Sequence, residues 1–211
     1  MAENIENIRT DKTNQLNFYN TLLKLAIPII IQNLIASSIN MIDTIMIGKI
    51  GETEIAAVGI ANQYFFLFNL LVIGITSGAG VFISQYWGQK NEEYIQKTLG
   101  LSLISSIISS ILFTIVALLI PHTIIKLFNK DPYVIGLGVQ YLKTICISYI
   151  FTAISFAYGV SSRCIEDTIP PMLMSIIALI TNATLNYVFI FGHLGFPAMG
   201  VKGAAIATLI A

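Results

Sequence analysis

Five stretches, each longer than 20 residues and mostly apolar, with the start of a sixth, occupy most of this 211-residue chain. A helix needs about 20 such residues to cross ~30 Å of hydrocarbon. The stretches run over about 22–48, 55–87, 98–120, 133–162 and 169–191, and the sixth over 199–211. Strands of a membrane barrel are about 9–11 residues long and alternate apolar with polar, so these lengths exclude them despite the abundance of Ile and Val. The expected fold is an all-α integral membrane protein, a polytopic helical bundle with five full transmembrane helices and a truncated sixth. Charged residues make up only 10% of the chain and hydrophobic ones 55%, against roughly 25% charged in soluble domains. Too few charges exist to coat a water-facing surface, so the lipid bilayer is the expected partner. Eleven basic residues balance eleven acidic ones, which argues against a nucleic-acid partner.

The breaks between runs carry helix-ending chemistry. Gly48-Lys49-Ile50-Gly51-Glu52 closes the first, Gly88 to Glu93 the second, and Pro121-His122 the third. Asn129-Lys130-Asp131-Pro132 precedes the fourth, Arg163 to Pro171 separates four from five, and Gly192 to Pro197 separates five from six. Residues 1–21 read as a polar, solvated tail, with a short interfacial helix around Asn17 to Leu25, and 22–211 as one transmembrane lobe. The last run stops inside an apolar helix, the expectation for a piece of a longer membrane protein. With the N-terminus inside, six basic residues fall on the cytoplasmic side and five outside, a slight preference for that orientation under the positive-inside rule. Cys146 and Cys164 fall in one expected helix, roughly 27 Å apart at ~1.5 Å per residue, too far for a disulfide. Two cysteines and two histidines are also too few for a closed zinc site.

Asp43 is the one carboxylate well inside an apolar run. A charge at the bilayer centre costs about 2.5–3.5 kcal/mol on insertion scales, so such residues face a bundle interior and mark ion or proton paths. Its place five residues before Gly48 also allows a plainer role at the outer interface. At 100° per residue, Gln32, Asn33, Ser37, Asn40, Asp43 and Thr44 share one arc of the helix, a polar stripe opposite an apolar face. The alternative for that stripe is helix packing through small and amide residues. Pro28 near its start permits a bend. The fourth run repeats the pattern with Tyr141, Ser148, Thr152, Ser155, Tyr158 and Ser162, and the fifth places Asn182 and Asn186 one turn apart. Amides in hydrocarbon need partners, and three facing stripes would supply them around a small wet pocket.

Plainer readings cover the other features. The serines of run three (Ser102, Ser105, Ser106, Ser109, Ser110) form a close-packing face, and Gly74 with Gly78 spells a small-residue motif for helix approach. Arg163, Glu166 and Asp167 suit a solvated turn. No phosphate loop, nucleophile elbow, zinc-protease motif or carboxylate pair lies within a run, so no enzyme is expected.

Six segments in order carry a resemblance. Leu25-Ala26-Ile27-Pro28 with Ser38 to Gly48 and Ile55 to Ile60, then Ser84-Gln85-Tyr86-Trp87-Gly88-Gln89-Lys90, resemble the first two helices of the multidrug and toxic compound extrusion (MATE) family. Arg163 with Glu166-Asp167-Thr168 and Pro171-Met172 is similar to its loop between helices four and five, Asn182 to Gly192 to helix five, and Gly200 to Thr208 to the start of helix six. The resemblance implies one lobe of a twelve-helix transporter, lacking its C-terminal lobe, in the cell (cytoplasmic) membrane. It implies exchange of sodium ions or protons for small organic cations and other drugs. The family's helix-one acid falls on Asp43, its helix-five asparagine on Asn182 and its helix-six threonine on Thr208. Many members carry an aspartate where this chain has Asn186, a departure that leaves the coupling ion open.

The coupling residues expected are thus Asp43, Asn182, Asn186 and Thr208, with Asp43 as ligand if the ion is sodium. Gln32, Asn33, Ser37, Asn40, Thr44, Ser148, Thr152, Ser155 and Tyr158 are expected to line the cavity. No cofactor is expected beyond the sodium ion or proton. Two other functions fit less well. A flippase for lipid-linked sugars would need a basic cavity, and a passive assembly subunit would have no use for Asp43.

Overall fold

The computed structural model describes the backbone of residues 2–211 and the side chains from residue 18 onward. Eight helices, and no strands, occur among the described residues. They are α1 (Ala2–Gly48), α2 (Glu52–Gly88), α3 (Glu92–Leu119), α4 (Pro121–Lys126), α5 (Pro132–Ile145), α6 (Ser148–Cys164), α7 (Ile169–Phe191) and α8 (Gly200–Ile210). Four are long and apolar enough to cross a membrane, the first of them over Phe18–Gly48, and the bent pair α5 and α6 makes a fifth span. The turns follow local chemistry. The Asn91 side chain caps α3 by accepting from the Tyr94 N–H at 3.3 Å, and Asp131 caps α5 by accepting from Tyr133 at 2.8 Å, with Pro132 in the first turn where its missing N–H costs nothing.

Three boundaries differ from those read in the sequence. The expected polar tail over 1–21 lies, up to residue 17, outside the described side chains; the α1 backbone is continuous from Ala2. A short α4 follows the third span, because Pro121 starts a new turn as readily as it ends an old one. The fourth run, expected as one helix over 133–162, is α5 and α6 bent by 53°. Cys146 and Cys164 therefore do not share a helix, and both are free.

The bend contains no proline. Side chains reinforce the carbonyls there: Ser148 Oγ donates to Ile145 O at 2.7 Å, and Thr114 Oγ1, from α3, donates at 2.9 Å to Cys146 O, which also accepts from the Tyr149 N–H at 3.2 Å. A bare carbonyl within a membrane span costs several kcal/mol, so irregular backbone persists only where such partners exist. Beside the bend, Phe68 of α2 stacks on Tyr149 of α6 at 4.8 Å between ring centroids. Tyr64 Oη donates to Phe113 O of α3 at 2.8 Å. These contacts lock α2, α3 and α6 around the bend.

Small residues set how close the helices lie. Ser102, Ser106, Ser110 and Thr114 are buried at four-residue spacing along α3, the packing face expected from the serine run. Gly74 and Gly78, by contrast, face open space. The close approach on α2 is at Gly80 instead, where an added Cβ would sit 3.1 Å from Val160 and 3.2 Å from the Cys164 sulfur. At Gly203 a Cβ would lie 2.6 Å from the Phe189 carbonyl oxygen, so α8 can rest against α7 only because that side chain is absent.

Two substitutions test this account. Thr114→Val keeps the shape but removes the interhelical hydrogen bond to Cys146 O, which still accepts from the Tyr149 N–H at 3.2 Å, and should lower stability by about 0.5–1.5 kcal/mol, while Thr114→Ser should largely retain it. Gly203→Ala should cost about 1–3 kcal/mol through forced separation of α7 and α8. Both are read by thermal unfolding in detergent.

Candidate functional site

Asp43 lies on α1, the two asparagines on α7 and Thr208 on α8, and the packing of α1 and α8 on α7 brings the four together. Asn186 Nδ2 donates to Asp43 Oδ1 and also to Asn182 Oδ1 at 3.0 Å. Asn182 Nδ2 reaches Thr208 Oγ1 at 3.5 Å, and Thr208 Oγ1 donates to Ala204 O at 3.0 Å. Asn182 is 1% and Asn186 0% exposed. One atom of the cluster is left over: Asn186 Oδ1 is buried and has no hydrogen-bond partner. The site is thus a single carboxylate from α1 beside neutral amide and hydroxyl groups from α7 and α8. No group of three or more His, Cys, Asp or Glu that could hold a metal ion occurs among the described residues.

Asp43 opens onto a cavity of about 550 Å³, lined among others by Asn40, Thr44, Ser148, Thr152 and Thr208. The first four stand among the residues expected to line it, and Thr208 joins them from the expected coupling set. Gln32, Asn33, Ser37, Ser155 and Tyr158 do not line it. A helical wheel records angle and ignores depth: Gln32 shares the face of Asp43 but is eleven residues away, roughly 16 Å along the axis. Its amide is engaged at both ends, with Nε2 donating to Thr168 O at 3.2 Å and Oε1 accepting from Arg163 Nη2 at 2.9 Å. Arg163 is thereby tied to α1 rather than merely solvated. Asn33 and Ser37 are exposed, as are Ser155 and Tyr158 further along α6.

The opposite wall is absent from the expectations. It comes from α2, through Asn62, Phe65, Phe66 and Asn69, while Tyr141 of α5 lines the cavity as a member of the polar stripe expected there. Asn69 Oδ1 is buried without a partner. Asn62 and Asn69 lie seven residues apart, two turns along one face, a spacing that could have identified the wall. Tyr141 heads the polar stripe of the fourth run. Among the described residues, no Lys, Arg or His lines the cavity.

Comparison with known proteins points one way. A family model described as MatE matches residues 28–188. The "Probable multidrug resistance protein YoeA" of Bacillus subtilis (strain 168) is 26% identical over 211 residues, covering 100% of this chain and 46% of that protein. The "Probable multidrug resistance protein NorM" of Thermotoga maritima is 30% identical over 190 residues, covering 90% of this chain and 41% of that protein. A solved structure of the MATE multidrug transporter DinF-BH superposes with a TM-score of 0.84 at 28% identity, over 90% of this chain and 42% of the other. The chain therefore spans less than half the length of these relatives. The matched stretch contains Asp43, Asn182 and Asn186 together with the helices that hold them, and this chain belongs to the MatE family of multidrug and toxic compound extrusion transporters.

Proposed function

We propose that this chain is the ion-coupling lobe of a secondary antiporter that exports organic cations in exchange for sodium ions or protons. The observation that carries the reading is the contact of Asp43 with the buried pair Asn186 and Asn182, beside a cavity lined by no basic residue. A carboxylate out of bulk water is stabilised by a proton or a cation. Ion binding then favours one access state of the lobe, and the organic cation favours the other. Coupling is the difference between those affinities. One charge moving through 100 mV supplies ~2.3 kcal/mol, and each tenfold gradient about 1.4. The same lack of basic residues counts against a flippase for anionic lipid-linked sugars.

Of the two ions, the donor set favours sodium. A proton needs one acceptor and is best shared by two carboxylates, whereas Asn186 stands where many family members carry the second acid. A hard cation needs several oxygens. Asp43, Asn182, Asn186 and Thr208 offer them, and the hydroxyl of Thr208, with its proton committed to Ala204 O, presents lone pairs. Rotating the Asn186 amide would exchange the N–H now facing Asp43 for its unpartnered oxygen, the arrangement a bound cation would favour. The amide thus becomes the element that differs between empty and loaded sites.

Substituting Asp43→Asn in the full-length protein should abolish ion-driven export of a cationic dye from vesicles; export at the unmutated rate would remove Asp43 from the mechanism. At fixed pH, withdrawing sodium should reduce export by at least about tenfold, and Asn186→Leu should weaken the sodium dependence. Export that ignores sodium but follows a pH gradient would assign the proton instead.

A further inference from the structure

The cavity beside Asp43 carries more information about its ligand than net charge alone. Three of its hydroxyls are committed in one direction. Thr44 Oγ1 donates to Asn40 O at 2.8 Å, Ser148 Oγ to Ile145 O at 2.7 Å, and Thr152 Oγ1 to Ser148 O at 2.9 Å. Each hydroxyl has a single proton and two lone pairs. With the proton held by its own helix, what each turns to the cavity is an acceptor. In a helix within hydrocarbon this commitment is enforced, because the backbone carbonyl offers a local partner at little cost in chain entropy. The amides of the lining can donate or accept and so match either kind of ligand. The wall opposite, Phe65 and Phe66, suits an aromatic body or the face of a cation.

Resting on the transport reading above, we infer that Thr44, Ser148 and Thr152 are specificity-determining residues that select, among organic cations, those whose charged nitrogen still bears an N–H. A protonated tertiary amine can donate its one N–H to one of these oxygens while its charge is balanced by Asp43. A permanently quaternary ammonium of the same charge and nearly the same size has nothing to donate. It leaves the hydroxyl lone pairs desolvated and unmatched, and a buried acceptor without a donor is penalised. The discrimination is therefore one of hydrogen bonding at constant charge, and it depends on the bent fourth span, since Ser148 sits at the bend and Thr152 one turn beyond.

The test uses a matched pair of monocations at pH 7, N,N-dimethyl-(1-naphthylmethyl)ammonium and its N,N,N-trimethyl homologue, which differ by one N–H replaced by a methyl. Binding to the purified full-length protein is followed by naphthyl fluorescence, and export by counting each compound in proteoliposomes. The tertiary ammonium should bind about tenfold tighter or better. In a Thr44→Val/Thr152→Val double variant the ratio should fall severalfold, because shape is kept and two of the three acceptors are lost. Equal binding, or tighter binding of the quaternary ion, with both still dependent on Asp43, overturns this inference and leaves the transport reading standing. An unaltered ratio in a folded double variant overturns the assignment to these hydroxyls. Failure of both compounds to bind overturns the cavity as a cation site, and the inference with it.

Discussion

A polar group inside hydrocarbon has no water to turn to, and at its bend, at its charged turn and around its one intramembrane acid this chain supplies protein partners instead. At the bend of the fourth span the Cys146 carbonyl accepts from Thr114, brought from a neighbouring helix, as well as from the Tyr149 N–H. At the end of that span, Gln32 uses both ends of its amide to join α1 to Arg163 and to the start of α7. Around Asp43, two asparagines and a threonine form a chain of donors and acceptors across three helices. Within that network Asn186 Oδ1 is left without a partner, and it is the oxygen that rotation of the amide would turn toward a cation beside Asp43. A deficit of this kind is expensive in a membrane, so its location beside the one acid of the cavity links energetics to function.

The packing of the bundle serves the same end. Gly203 lets α8 lie against the α7 backbone, which brings Thr208 to Asn182. The serine face of α3 and the stack of Phe68 on Tyr149 hold α2, α3 and α6 together, and this fixes the bend at the level of the cavity. The bend in turn brings Ser148 and Thr152 to the cavity wall that Asp43 shares. Altering a residue remote from the carboxylate can therefore change the shape and donor character of the cavity without touching the acid.

Some of this is legible in the residues and some is not, for physical reasons. Periodicity and length identify five spans and the start of a sixth, because the bilayer imposes one length on everything that crosses it. The pairing of Asn182 with Asn186 is legible because i and i+4 share a helix face. The residues expected in the cavity but lying outside its lining, Gln32, Asn33 and Ser37 on α1 and Ser155 and Tyr158 on α6, arise from the same rule, since an angle on a helix says nothing about depth. The bend is hidden because no proline marks it; the stabilising hydroxyl of Thr114 is 32 residues away from the carbonyl it satisfies. The α2 wall is less legible because Asn62 and Asn69, although two turns apart on one face, are separated by the aromatic stretch Tyr64-Phe65-Phe66 and by Phe68.

What the chain alone determined is its solvent and its secondary structure: a run of apolar side chains longer than the bilayer is thick must be a helix, since every backbone hydrogen bond has to close within it. It also determined that Asp43 needed company. Which groups would keep that company depended on the relative depth, rotation and bend of α1, α5, α6, α7 and α8. Those quantities are set by how close backbones can approach at Gly80 and Gly203 and by which hydroxyl meets which carbonyl. They are properties of facing surfaces, so only the assembled bundle decides them.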